Sequence, residues 1–335
     1  MNELVITKHG LKIKKKKERF SVSGEDTQKE VPAADLGIII VIGNVDITSS
    51  AIRLANEYNI PIHITDQFGN PLSTIYSSNL AGNPRLKIKQ LEFRNESRST
   101  DLAKKFAKAT LTNRGNMLKS LSRTRDISGI KEGGEEILGL RKELKEVRGD
   151  LGSEVRETIM NIEGRGGKTY YRSLEKIIPD EIYEGKRKKR PPGDCFNAAL
   201  SYGYGILYSR VNKSVIFAGL NPYLSFLHAE YSRRPGLVMD LIEEFRQPVV
   251  DRAIINLSIR GQLSCEDVET TTNGVLLNER GRKKVADEVL NKLSTPTEHR
   301  GIKTPVKRHI KNQSILLANH IMGEKVYEPY TPRRM

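Results

Sequence analysis

Apolar and polar positions change their period once along the chain, near residue 85. Before that point apolar residues come in short runs and alternations bounded by Gly, Asn and Pro, the pattern of strands. Residues 4–6, 11–15, 20–22 and 30–32 are expected strands, with a turn at His9-Gly10. The lysine block Lys14–Lys17 reads as a strand edge guarded by charge, or as a phosphate contact. Residues 36–42 (LGIIIVI) form an unbroken apolar run of strand length, which predicts a strand covered on both faces. Thr48 or Ser49 then caps a short helix over about 50–58, with Ile52, Leu54 and Ala55 inward. Asn59 stops it, 60–65 returns as a strand, 66–71 turns, and 72–77 is the last strand.

From about Pro84 the apolar spacing becomes helical. Helices are expected at 86–96 and at 101–123, the latter capped by Ser99 or Thr100 and carrying Leu102, Phe106, Leu111, Met117, Leu118 and Leu121 inward. Further helical stretches are 128–146, broken at Gly133-Gly134, then 153–174 and 194–208. Pro248 restarts a helix that continues over 254–260. Residues 270–273 read as a loop and 274–278 as a short strand or turn, followed by helices at 279–292 and 306–321. The expected fold class is therefore α+β: a small N-terminal β-rich domain at 1–85 and a larger all-α domain at 86–335.

Charge follows the same division. The formal net charge is +15, yet residues 1–85 hold ten Lys and Arg against nine Asp and Glu, so +14 lies beyond them. A basic partner surface, most simply one for nucleic acid, is expected in the second part. The basic connector at 184–192 (EGKRKKRPP) reads either as a solvated loop or as a DNA-gripping one. No run of eighteen apolar residues exists and the start lacks an apolar signal block, so the expected location is cytoplasmic. Cys195 and Cys265 have no metal-type spacing and read as small apolar residues in a reducing compartment.

Two stretches carry candidate chemistry. In 218–251, His228 sits on an expected apolar helix, and a second helix follows a basic loop. At 100° per residue, Glu243, Glu244, Gln247 and Asp251 fall within roughly 60° of Asp240, an acidic face in a basic protein. Such a face is either solvated or neutralised by arginines or a divalent metal. In 161–174, Glu163 is followed by Gly164, Gly166 and Gly167, which mark either a helix break or a close approach of backbone or ligand.

Taken in order, these blocks carry a resemblance: Glu163-Gly164, Tyr170-Tyr171, Pro191-Pro192-x-Asp194 with Asn197 to Tyr204, Ala218 to Tyr223 with Phe226-Leu227-His228, and Leu237 to Asp251. The series resembles the CRISPR-associated endonuclease family known as Cas one, the spacer-acquisition integrase, over nearly the whole chain. The resemblance implies an N-terminal β domain that dimerises and a helical domain that holds the active site. It also implies a small ferredoxin-like partner, the second CRISPR-associated protein, and double-stranded DNA as substrate. Residue by residue, it makes Glu163, His228 and Glu243 the catalytic metal ligands and Asp240 an auxiliary acid. Gly166-Gly167 and Gly236 depart from the small residues usual at those positions.

Two carboxylates and one imidazole suit Mg²⁺ or Mn²⁺. The expected activity is metal-dependent DNA cleavage and insertion of short foreign DNA into CRISPR repeats by attack of a 3′-hydroxyl. Arg165, Lys168 and Arg246 are expected phosphate contacts on charge alone. The alternatives are a structure-specific DNA repair nuclease and a non-catalytic architectural DNA-binding protein.

Overall fold

The computed structural model describes residues 2–25, 28–77, 83–123, 127–188, 191–228, 235–272 and 274–332. The first part holds β1 (Asn2–Ile6), β2 (Leu11–Lys16), β3 (Arg19–Ser23), β4 (Gln28–Pro32), β5 (Leu36–Val41), β6 (Val45–Ile47), α1 (Ser49–Glu57), β7 (Ile62–Thr65) and β8 (Pro71–Ile75). They form two four-stranded sheets, in the orders β1-β5-β7-β8 and β4-β3-β2-β6. In the first, β1, β5 and β7 run parallel and β8 antiparallel.

The apolar run of β5 is buried at every position, as its unbroken pattern predicts. Leu36, Ile39 and Val41 join a core with Leu4, Ile13, Phe20, Leu54 and Ile62. Ile38, Ile40 and Ile42 turn the other way, into the core of the helical part. Thr48 caps α1 by accepting from the Ala51 amide, and Asn59 ends it in the left-handed region at φ 53°. β2 pairs with β3 along Lys12–Lys16 but with β6 only over Leu11–Ile13, so Lys14–Lys16 are strand-paired on one side; Leu11 and Ile13 are buried and Lys12 and Lys14 exposed. Its solvent face is tied by Lys15–Glu57 and Lys16–Glu30 ion pairs.

The second part holds α2 (Pro84–Phe93), α3 (Arg98–Ser122), α4 (Ile130–Gly139), α5 (Arg141–Glu146), α6 (Ser153–Glu175), α7 (Cys195–Phe217) and α8 (Gly236–Ile242). A π-helical segment, Arg246–Asp251, leads into α9 (Arg252–Ile259). Then come β9 (Val268–Thr271), β10 (Gly274–Leu277), α10 (Glu279–Ser294), β11 (Pro296–His299), β12 (Ile302–Pro305) and α11 (Val306–Ile321). The part is helical but not all-α, because β9–β10 and β11–β12 pair as antiparallel hairpins. Residues 270–271, expected in a loop, take part in that pairing.

Two helix readings also shift. α3 starts before Ser99 and Thr100, which lie buried inside it rather than capping it. Gly133 and Gly134 do not break α4 but let it pack closely: a Cβ on Gly134 would sit 3.0 Å from the Gly115 carbonyl of α3, and one on Gly133 only 2.4 Å from Ser173 Oγ of α6. α7, capped by Asp194 through the Asn197 amide at 2.7 Å, is buried on most sides and forms the centre of the helical core. α7 also makes the seam to the strands: Lys213 bonds the Gly37 carbonyl, Asn212 bonds Thr74 at 3.2 Å, and Arg210 pairs with Glu3 at 3.2 Å. Among the described residues no helix is long and apolar enough to cross a membrane.

Candidate active site

Glu163 is carried by α6, which runs unbroken through its three glycines. The reason is close packing against α3. A Cβ on Gly166 would sit 2.3 Å from Leu111, and one on Gly167 would sit 3.2 Å from the guanidinium of Arg114. Arg114 thereby reaches across α6. Its Nη1 donates to the Glu163 carbonyl at 3.0 Å and pairs with Glu163 Oε1 at 2.5 Å. Burial alone would loosen the Arg114 proton, but Glu163 and Glu243, then Tyr171 and Asp251, hold its pKa above the ordinary value. One buried guanidinium is thus within electrostatic reach of both predicted carboxylate ligands.

His228 is not on a helix. It ends an irregular segment, residues 220–228, that follows α7. Asp240, on α8 and fully buried, shapes that segment by accepting from the amides of Phe226 (2.6 Å), Leu227 (3.1 Å) and His228 (2.9 Å). The same carboxylate lies 2.8 Å from His228 Nδ1. A carboxylate on Nδ1 fixes the ring and presents Nε2 as the nitrogen open to a ligand. Burial opposes the imidazolium, yet the Asp240 hydrogen bond and charge, helped by Glu243, outweigh it and leave the His228 pKa raised. Residues 229–234, which follow His228 and were expected to include a basic loop, lie outside the described residues.

The acidic face expected over 240–251 does not exist as a face. α8 ends at Ile242, three residues of turn follow, and the π-helical segment changes the angular step through Pro248. Every polar member of the set is buried: Asp240, Glu243, Glu244, Gln247 and Asp251 are all at most 3% exposed. Each acid instead has its own partner. Asp240 holds the His228 segment. Glu243 pairs with Arg246 Nη1 at 2.5 Å. Glu244 accepts from Tyr327 Oη at 2.5 Å and the Tyr330 amide at 2.7 Å, and burial pushes its carboxyl up to about 7 despite these bonds. Asp251 accepts from Tyr204 Oη at 2.5 Å. The Arg246 guanidinium lies over the Tyr204 ring, 5.0 Å from its centre, and the Tyr171 and Tyr204 hydroxyls are 3.4 Å apart.

The result is two ion pairs, Glu163–Arg114 and Glu243–Arg246, with Glu243 within electrostatic reach of both Arg114 and the Asp240-held His228. Among the described residues no three His, Cys, Asp or Glu side chains converge closely enough to form a metal ligand set. Two guanidinium groups instead supply positive charge to the two carboxylates. The residue types suit a hard divalent cation and the imidazole is oriented by its Nδ1, but the two carboxylates would have to leave their arginines to share an ion.

The expected phosphate contacts are placed differently from one another. Arg165 pairs with Glu143 on the surface, and Lys168 is exposed on α6. Arg246 is half-buried against Glu243. In the basic connector, Arg187 bonds Asn197 Oδ1 at 2.8 Å and Ser201 Oγ at 3.0 Å, while Lys189 and Arg190 lie outside the described residues. Arg114 was missed by sequence reasoning. Its signal is a charge at a core-facing position of α3, three residues after Leu111 and four before Leu118.

The family model described as "CRISPR associated protein Cas1" matches residues 4–291. A protein of Archaeoglobus fulgidus described as "CRISPR-associated endonuclease Cas1 1" is 32% identical over 324 residues, covering 91% of this chain and 92% of that protein. A "CRISPR-associated endonuclease Cas1" of Methanothermobacter thermautotrophicus is 30% identical over 329 residues, covering 97% and 93%. Among solved structures, a casposase bound to integration product superposes with a TM-score of 0.85 at 25% identity, covering 100% of this chain and 94% of that one. A Cas1 protein from Thermotoga maritima superposes with a TM-score of 0.83 at 24% identity, covering 98% and 100%.

Proposed function

We propose, from the premise that this chain belongs to the Cas1 family of CRISPR-associated proteins, that it is a metal-dependent DNA endonuclease and integrase that inserts short DNA into CRISPR repeats. The observation that carries the reading is the Arg114–Glu163 ion pair, with Glu243 near enough to act on the same guanidinium, beside a histidine held by Asp240. The casposase described as bound to its integration product, alike over the whole length, supports strand joining as well as cutting. In this reading residues 1–85 form the dimerisation domain and 86–335 the catalytic domain. The partners are a second copy and the small ferredoxin-like CRISPR-associated protein.

Glu163, His228 Nε2 and Glu243 would hold Mg²⁺ or Mn²⁺. Bound there, the ion would act as a Lewis acid on a phosphodiester and stabilise charge on the attacking and leaving oxygens. The chain's own residues do the rest. Asp240 holds Nδ1 and leaves Nε2 as the nitrogen that would give up its proton for the ion. Arg114 and Arg246 neutralise the carboxylates before any ion arrives, then stand beside a phosphate as donors once displaced from them. The nucleophile is a 3′-hydroxyl in joining and water in cutting, so one site serves both.

The test is strand transfer. Purified protein, with and without the small partner, is incubated with short 3′-hydroxyl duplexes and a repeat-bearing plasmid in Mg²⁺ or Mn²⁺. Joining is expected for the native chain and is expected to vanish in Glu163→Ala, His228→Ala and Glu243→Ala, with far-UV circular dichroism unchanged. Joining by a folded triple variant would overturn the assignment. Cutting of junctions and flaps with indifference to the repeat would move the reading to a repair nuclease.

A further inference from the structure

The arginines of the active site face carboxylates. A second group of cations mostly does not. α3 and α5 face each other across a cleft of about 350 Å³, lined by Arg98, Lys104, Lys105 and Lys108 from α3 and by Arg141 and Lys145 from α5. Asp101 is the one acid among its described lining residues. On α3, Lys104 and Lys108 stand four apart, and on α5 so do Arg141 and Lys145. Like charges at that spacing repel and weaken a helix. Two such pairs meet across one cleft.

The cleft is built rather than accidental. Lys104 Nζ donates to the Val147 carbonyl at 3.0 Å, Lys105 Nζ to the Tyr327 carbonyl at 2.8 Å, and Arg141 Nε to the Leu138 carbonyl at 2.9 Å. These partners are neutral and fix the side chains in place; of the three, Lys104 also has a carboxylate at hand, the largely exposed Asp101 at 4.0 Å. Arg98 pairs with Glu96. Lys108 and Lys145 are exposed and have no carboxylate partner among the described residues. Preformed cations cost a ligand little ordering.

The cleft is not an extension of the active site. Lys105 lies nine residues before Arg114 on α3, which turns it about 180° away and places it about 14 Å along the axis. The ligand therefore meets the back of the helix whose front holds the catalytic carboxylates. The lining offers one imidazole, His320, and no aromatic or carboxamide side chain to read a base. Two facing rows of cations suit a repeating anion.

We propose that this cleft is a second, sequence-blind site for phosphate groups of the DNA backbone, away from the reacting phosphodiester. The inference rests on the DNA-acting reading above. The phosphate chemistry would also admit a free nucleotide, and the test separates the two. The probe is a fluorescent duplex of about 30 base pairs, bound to the full chain in EDTA over a salt series. The variant is the double substitution Lys108→Ala with Lys145→Ala, both at exposed positions. Each phosphate contact contributes about 0.9 to the slope of log affinity against log salt, so the double variant should lose about 1.8 of slope. Its affinity in low salt should fall at least tenfold. Unchanged slope and affinity would overturn the proposal. So would stoichiometric ATP binding that the double variant loses while its DNA binding stays native. A chain that joins no DNA but shows the lysine-dependent slope would refute the proposed function alone. A chain that joins DNA with a slope indifferent to these lysines would refute only the cleft.

Discussion

At the scale of single residues, Arg114 and Asp240 decide how the site is charged. Arg114 is buried and is the cation nearest Glu163, so Arg114→Gln leaves a carboxylate without its partner. Breaking such a pair costs about 3 kcal/mol, an expected loss that urea unfolding in EDTA would measure. The same variant should gain more thermal stability from Mn²⁺ than the native chain does, because no guanidinium then competes for Glu163. Equal gains would contradict a shared site. Asp240→Asn keeps the shape but replaces the carboxylate on His228 Nδ1. Loss of such a partner lowers metal affinity about 10–100-fold, which calorimetric Mn²⁺ titration would read. Glu163, His228, Glu243 and Asp240 were singled out by ordered motifs. Arg114 was not, since no motif contains it and only its place on an apolar stripe gives it away.

At the scale of elements, the sequence predicted where helices lie better than how they pack. The span of α11 and the cap of α1 follow directly from periodicity and side-chain chemistry. The acidic helix face failed because a 100° step was carried through residues 243–248, where a turn and a π-helical segment intervene. A local stretch of sequence cannot show that each acid finds its own partner, 47 residues away for Asp251 and 83 and 86 for Glu244. The glycines of α6 are a second case, read as a break or a close approach, and the packing makes them an approach. Gly166→Ala would force a Cβ to 2.3 Å from Leu111. Overpacking of about 1–3 kcal/mol should exceed the gain of about 1 kcal/mol in helix propensity, so stability falls. Gly164→Ala meets nothing within 4 Å and should stabilise by up to about 1 kcal/mol. Urea midpoints for the pair would check both signs; two losses would mean that α6 is not packed this way.

At the scale of the whole molecule, the seam between the sheets and α7 contains a buried titratable group. His63 on β7 bonds Thr74, which Asn212 of α7 also bonds. Burial, helped by the nearby Lys213 cation, pushes the His63 pKa down to about 3. A base depressed in the folded state contributes stability that is complete above its unfolded value near 6.5 and is lost as pH falls toward 3. Between pH 6.5 and pH 4 the loss should be about 3 kcal/mol from this group. Unfolding free energies across that range should show the decline in the native chain and a shallower one in His63→Gln. Parallel curves would contradict the buried neutral histidine. The two-part division was legible in the change of apolar period. The seam was not, because its contacts join residues more than a hundred positions apart.

The central claim is that Glu163, His228 and Glu243 make one metal site although arginines hold both carboxylates when no ion is bound. Anomalous scattering from a crystal grown with Mn²⁺ tests it directly. The account predicts one peak within bonding distance of both carboxylates and His228 Nε2, with Arg114 and Arg246 moved off them. A peak held by other residues, or Arg114 still paired with Glu163 at saturating Mn²⁺, would contradict it.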